Sequence, residues 1–188
     1  MFFASLSFIF LLLPLFLSLD FLARYIKAVS LRNIFLLITS LLFYTWGEAA
    51  SVFLLLSLGI INYAAGNYLP RSKNPRLWVA VFVAVNLSVL VGFKYAHWLL
   101  SFILPTLANK KASMPLGISF FTFHAISYLI DVYRRQIIPA KNTLDFLTYF
   151  CMFPHLVAGP IVRYAQIEGD LNVRGPDREL FAFGMYRF

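Results

Sequence analysis

Four stretches of this sequence, residues 1–19, 49–70, 77–93 and 112–130, contain no Asp, Glu, Lys or Arg. At 1.5 Å of rise per residue, helices of about 17–22 residues can cross a hydrocarbon layer about 30 Å thick. Lipid offers the backbone no hydrogen-bond partners, so each crossing is expected to be helical. Two further stretches are less simple. Residues 33–47 form a shorter apolar run that extends back to Leu31, and residues 146–162 are long enough but carry helix breakers at their far end. The expected fold class is all-α: a polytopic integral membrane helical bundle with re-entrant or broken helices.

Composition agrees. Of the chain, 61% is hydrophobic and 13% charged, about half the charge usual in a soluble domain. The first apolar run has no Lys or Arg before Arg24 and no clear small-x-small cleavage site, so it is expected to remain as a helix and not be removed as a signal peptide. Cys151 is the one cysteine, which excludes an internal disulfide and a multi-cysteine metal site. The histidines, His97, His124 and His155, lie far apart without carboxylates at ligand spacing, so no metal is expected.

The formal charge of +8 would suit a nucleic-acid binder, but its distribution points to the lipid bilayer instead. Up to Tyr164 there are 13 basic and 4 acidic residues, the basic ones in short loops between apolar runs. Basic loops are retained in the cytoplasm and touch anionic headgroups. Arg24, Lys27 and Arg32 precede the second span, and Arg71, Lys73 and Arg76 sit in "PRSKNPR". The turn between, "GEAAS", holds only Glu48. The N-terminus is therefore expected outside. Arg134, Arg135 and Lys141 should also face the cytoplasm, which requires an even number of crossings between Arg76 and Arg134. Residues 77–93 and 112–130 supply two, leaving "YAHWLLSFILPTLANKK" to lie in or re-enter the outer interface, as Trp98, His97 and Pro105 suggest.

Two segments carry chemistry. In "MPLGISFFTFHAISYLIDVYRR", read as a helix, Gly117, His124, Tyr128, Asp131 and Arg135 share one face. A polar stripe in a span should face protein or water. It either joins helices by hydrogen bonds or lines a substrate tunnel. Asp131 and Arg135 are spaced for an i,i+4 ion pair. In "FPHLVAGPIVRY", Pro154 and Pro160 each lack a backbone donor, and Gly159–Pro160 is a strong breaker pair. The segment should enter as "LDFLTYFCM" and then break. Broken backbone at membrane depth survives only against protein or a water-filled cavity. His155 and Arg163 flank the break. His155 either bonds a freed carbonyl or lines the cavity, and Arg163 either does the same or snorkels to a headgroup. A broken segment also suits a transporter, but no second one appears, as paired halves would require. A purely structural membrane subunit is the other alternative.

Together, "MPLGISFFTFHAISYLIDVYRR" and "FPHLVAGPIVRY" resemble the paired motifs "LPxGISFxxFxxxSYxIDVYR" and "FPHLxAGPIxR" of the membrane-bound O-acyltransferases, in the branch that O-acetylates alginate. "RNIFLLITSLLFYTWGE" and "GFKYAHW" are similar to the same branch, and the departure is Met114, where Leu is usual. The resemblance implies a bacterial inner-membrane acetyltransferase that takes acetyl groups from a cytoplasmic donor, acetyl-CoA, and passes them through a tunnel to periplasmic polysaccharide-acetylation proteins, with the polysaccharide as final acceptor. It also implies a partial form of that fold: a multi-span region over 1–164, and a polar segment over 165–188 leading to a further part. By the same resemblance the family's catalytic histidine lies in a later apolar segment, beyond Phe188. No residue here aligns with it, so this chain alone is expected to be inactive, and His124, Tyr128, Asp131, Arg135, Pro154, His155, Gly159, Pro160 and Arg163 are tunnel or scaffold candidates.

Overall fold

The computed structural model describes residues 10, 13–23, 29–103, 115–157 and 162–172, with isolated positions at 179, 182, 183 and 186. Among these residues every regular element is helical. Eight α-helices follow in order: α1 Leu13–Ala23, α2 Val29–Glu48, α3 Ser51–Tyr68, α4 Pro75–Ile103, α5 Ile118–Tyr133, α6 Thr143–Cys151, α7 Phe153–Val157 and α8 Tyr164–Asn172.

Three of them are long and apolar enough to cross a membrane: Val29–Glu48, Ser51–Arg71 (α3 with its closing 3₁₀ turn) and Pro75–Tyr95. Their outward faces carry large apolar side chains with no protein cover, among them Leu42, Trp46, Phe53, Ile60, Leu77 and Val91. In water such a surface would associate, whereas lipid tails cover it without cost. The protein is a membrane helical bundle. Inside these outer helices sit the shorter α5 and α6, with α5 packed on α3 and α4, and α6 on α2 and α3. α5 has 16 residues, about 24 Å at helical rise, short of a full crossing. Being enclosed by protein, it does not need the length of a lipid-exposed span.

Several element boundaries differ from the sequence reading. α2 begins at Val29, so Arg32 lies in its first turns and is buried, not in a loop. Its neighbour Asn33 explains why the helix tolerates polar residues there. The Asn33 side-chain amide donates to Asp145 Oδ1 (2.9 Å) and to the Leu171 carbonyl (3.3 Å), tying α2 to α6 and α8. α4 starts at Pro75, where a missing N–H costs nothing, and runs unbroken to Ile103. The stretch "YAHWLLSFI", expected in or re-entering the outer interface, continues α4 as helix beyond the candidate span, and 104–114 lie outside the described residues. α5 starts at Ile118 because Pro115 and the left-handed Gly117 precede it. The polar segment expected over 165–188 begins as α8 and is described continuously only to 172; its last residue, Phe188, lies outside the described residues.

The two basic loops, following α3 and α5, meet at one end of the bundle. At the other end, Glu48 of α2 touches Leu116 ahead of α5. α4 and α5 thus lie between the two ends of the bundle.

α3 and α4 are joined by a buried clasp. The Asn62 and Asn86 amides each donate to the other's oxygen (3.0 and 2.8 Å) and each also donates to its own helix, at the Leu58 and Phe82 carbonyls. Asn62→Leu should destabilise the protein by roughly 1–2 kcal/mol, because it leaves Asn86 short of a partner away from water. Adding Asn86→Leu should recover most of that loss. Unfolding in mixed detergent micelles measures both, and additive losses would show that the clasp is not a unit.

Candidate functional site

The site forms where two chain breaks and the far end of the second motif are held against one another. The first is the corner before α5. The Leu116 backbone is gripped on both sides by the end of α2: its N–H donates to Glu48 Oε2 (2.8 Å), and its carbonyl accepts from the Tyr44 hydroxyl (2.9 Å). Ser51 also donates to Glu48 Oε2 (2.9 Å), holding that carboxylate across the α2–α3 turn. Gly117 then takes φ +76°, a conformation that disfavours a side chain. Glu48→Ala is expected to cost about 1.5–3 kcal/mol through the unpaired Leu116 amide, while Glu48→Gln, which retains an acceptor, should cost much less. Thermal unfolding of the two variants side by side checks this.

The second break ends α6. Pro154 cannot donate to the preceding turn, so the helix stops at Cys151 and Met152 is extended (ψ 116°). The N–H of Phe153 thereby freed donates to the Ser40 hydroxyl at 3.4 Å, a long bond. The Phe153 ring packs between Phe16 and Phe43, at 4.8 and 5.2 Å. The chain re-enters a helical turn as α7, and the Leu156 carbonyl comes to rest over Gly117. A Cβ built on Gly117 would lie 2.1 Å from that oxygen. The two sequence motifs thus touch backbone to backbone.

The third contact is at the far end of the second motif. The Tyr149 hydroxyl donates to the Val162 carbonyl (2.9 Å). Arg163, its side chain 60% exposed, reaches the buried Asp131 carboxylate at 3.9 Å. Tyr164 turns inward against Tyr128 and Tyr149, with ring centroids 5.5 and 5.3 Å away, beside Phe146. Burial is the main reason its phenol is pushed well above the usual range, with Glu168 adding to it, so Tyr164 stays protonated.

Of the stripe read on α5, His124, Tyr128 and Asp131 are buried together on the inner face. His124 lies edge-on to Tyr149 at 5.9 Å. The Tyr128 hydroxyl accepts the Ala140 N–H (3.1 Å) and its ring meets Phe146 at 4.6 Å. Arg135 departs from the expectation. The helix ends at Tyr133, Arg135 has φ 57° and is exposed, and the ion partner of Asp131 is Arg163. A residue past the helix end, with its backbone in the left-handed region, no longer stands one turn above Asp131. Pro154 is exposed at the start of α7, and His155 lies within that helix. The His155 side chain, Gly159 and Pro160 lie outside the described residues. So does Phe188. Sequence alone does not single out Ser40, Tyr44, Tyr149 and Tyr164. It marks Glu48 only for topology, although a lone acid in an apolar turn is a usable signal. Among the described residues, no three metal-ligating side chains converge.

No protein-family model matches the chain, and no solved structure does. Curated proteins do. A probable alginate O-acetylase AlgI of Pseudomonas aeruginosa is 36% identical over 200 residues, covering 100% of this chain and 38% of the relative. That of Azotobacter vinelandii is 36% identical over 202 residues, covering 100% of this chain and 39% of its own length. A peptidoglycan O-acetyltransferase of Helicobacter pylori is 29% identical over 221 residues, covering 96% of this chain and 42% of the relative. The chain thus spans about two fifths of the length of these relatives.

Proposed function

The chain belongs to the family of the alginate O-acetylases, within the membrane-bound O-acyltransferases, and from that premise we propose that it serves the O-acetylation of a secreted polysaccharide, alginate before others. The observation that carries this reading is identity of 34–36% to alginate O-acetylases along the entire chain. A second acceptor, peptidoglycan, is favoured by the Helicobacter pylori relative, at the lower identity of 29%.

In this reading the protein resides in the bacterial inner membrane, with the N-terminus in the periplasm and the loops around Arg71 and Arg134 in the cytoplasm. The positive-inside bias supports that orientation. Acetyl-CoA on the cytoplasmic side supplies the acetyl group, and periplasmic acetylation proteins receive it for the polysaccharide. The joined motifs act as scaffold: Gly117 and Leu156 fix the two chain breaks against each other, and Asp131 with Arg163 closes the far end. His124, Tyr128 and Asp131 would border the acetyl path only where the helices part. General-base chemistry is not assigned to His124, which is enclosed by the aromatic layer of α6.

Deleting the reading frame in the producing bacterium and measuring exopolysaccharide acetyl content by proton NMR tests the proposal. Loss of acetyl signal, restored by the intact gene, is expected. Unchanged acetylation would refute it. Loss confined to peptidoglycan would select the second acceptor.

A further inference from the structure

Where the two basic loops meet, they enclose a cleft of about 780 Å³. Most of its wall is apolar, with Leu69 and Pro70 on one side and Val132, Ile137 and Ile138 on the other. Arg135 lines it as well. Residues 69–76 and 132–141 together contain six Lys or Arg and no Asp or Glu. All six, Arg71, Lys73, Arg76, Arg134, Arg135 and Lys141, are exposed. Among the described residues none of them is ion-paired, because the carboxylate next in sequence, Asp131, is turned inward to Arg163.

The cleft also sits at a particular level. Its walls begin where α3 closes and α4 starts, at the ends of two membrane-crossing helices. That is the depth of lipid headgroups, where a basic rim above an apolar wall meets a phosphate with a hydrocarbon chain attached. Ile138, 71% exposed on the cleft wall, would be left in water by a small soluble anion but is covered by an acyl chain. Each exposed cation near an anionic leaflet also gains attraction that a zwitterionic lipid does not provide.

We propose that this cleft is a binding site for an anionic phospholipid, its phosphate held by Arg135 and the neighbouring basic side chains and an acyl chain laid along Ile137 and Ile138. The site does not depend on the acetyl-transfer reading, since it rests on the walls and charges of the cleft alone.

Native mass spectrometry of the chain in detergent tests it, with phosphatidylglycerol and phosphatidylcholine of identical acyl chains as probes. Retention of phosphatidylglycerol is expected to exceed that of phosphatidylcholine by at least about fivefold. Arg134→Gln with Arg135→Gln should remove most of that preference. Lys94→Gln, some 19 residues up α4 from Pro75 and about 28 Å away at helical rise, should leave it intact. Ile138→Gln should weaken retention of both lipids, which a purely electrostatic site would not show. Equal retention of the two lipids overturns the proposal, and so does a Lys94→Gln effect as large as that of the arginines. Displacement of phosphatidylglycerol by coenzyme A, with the same dependence on Arg135, would reassign the cleft to a soluble phosphate ligand and also overturn it. Both arginines are exposed, so the double variant should fold, and its thermal unfolding midpoint is checked alongside.

Discussion

Gly117→Ala is expected to destabilise the protein by roughly 2–5 kcal/mol. Two costs combine. A residue with a Cβ at φ +76° loses about 1–2 kcal/mol to backbone sterics. The new Cβ would also stand 2.1 Å from the Leu156 carbonyl oxygen, which is main chain and cannot rotate away. α7 must shift, taking with it Phe153 and the hydrogen bond to Ser40, and forced repacking of this kind adds about 1–3 kcal/mol. Gly92→Ala is the natural control. Its Cβ would meet nothing within 4 Å, and alanine is the better helix former by about 1 kcal/mol, so it should be neutral or slightly stabilising. Thermal unfolding of both variants in detergent measures the contrast. Equal midpoints would mean that the two motifs are not in backbone contact.

Gly66→Ala is expected to cost about 2–4 kcal/mol, for a different reason. Gly66 is helical, so its backbone tolerates a side chain, but a Cβ there would lie 2.5 Å from Tyr128 Cε1 and 2.6 Å from its hydroxyl oxygen. An exposed ring would swing aside cheaply. This one is fully buried, accepts the Ala140 N–H, and is enclosed by Phe146 and Tyr164. Small residues allow helices to approach this closely in membranes, and α3 and α5 use that freedom here. If the clash is the cause, Tyr128→Leu combined with Gly66→Ala should be less destabilising than the sum of the two by more than about 1 kcal/mol. Strict additivity would place the cost elsewhere.

The spans were legible in the sequence because lipid imposes a length and an absence of charge, and both can be counted. α3 and the start of α4 fall almost where the charge-free runs put them. The break after "LDFLTYFCM" was legible too, since Pro154 removes a donor wherever it stands. The charge pattern also foretold that the loops around Arg71 and Arg134 share one end of the bundle. What could not be read was set by tertiary partners. Arg32 looked like a loop residue, and nothing near Asn33 in the sequence announced its bonds to Asp145 and Leu171, more than 100 positions away. The pairing of Asp131 with Arg163, in place of Arg135, depends on where α5 stops and on the path of the second motif. Gly117 was seen only as one member of a polar stripe, whereas its conformation and its contact with Leu156 are what join the motifs. The aromatic layer of Phe146, Tyr149 and Tyr164 has no sequence signature distinct from ordinary apolar filling.

The deciding measurement is the acetyl content of exopolysaccharide from producing cells that carry Gly117→Ala or Gly92→Ala, each normalised to the amount of protein in the membrane. If the joined motifs are the scaffold for acetyl transfer, Gly92→Ala should acetylate at the native level and Gly117→Ala should fall at least about tenfold, as displacement of positioning groups by an ångström or so does in enzymes. Native acetylation by membrane-inserted Gly117→Ala would contradict that role for the contact between Gly117 and Leu156.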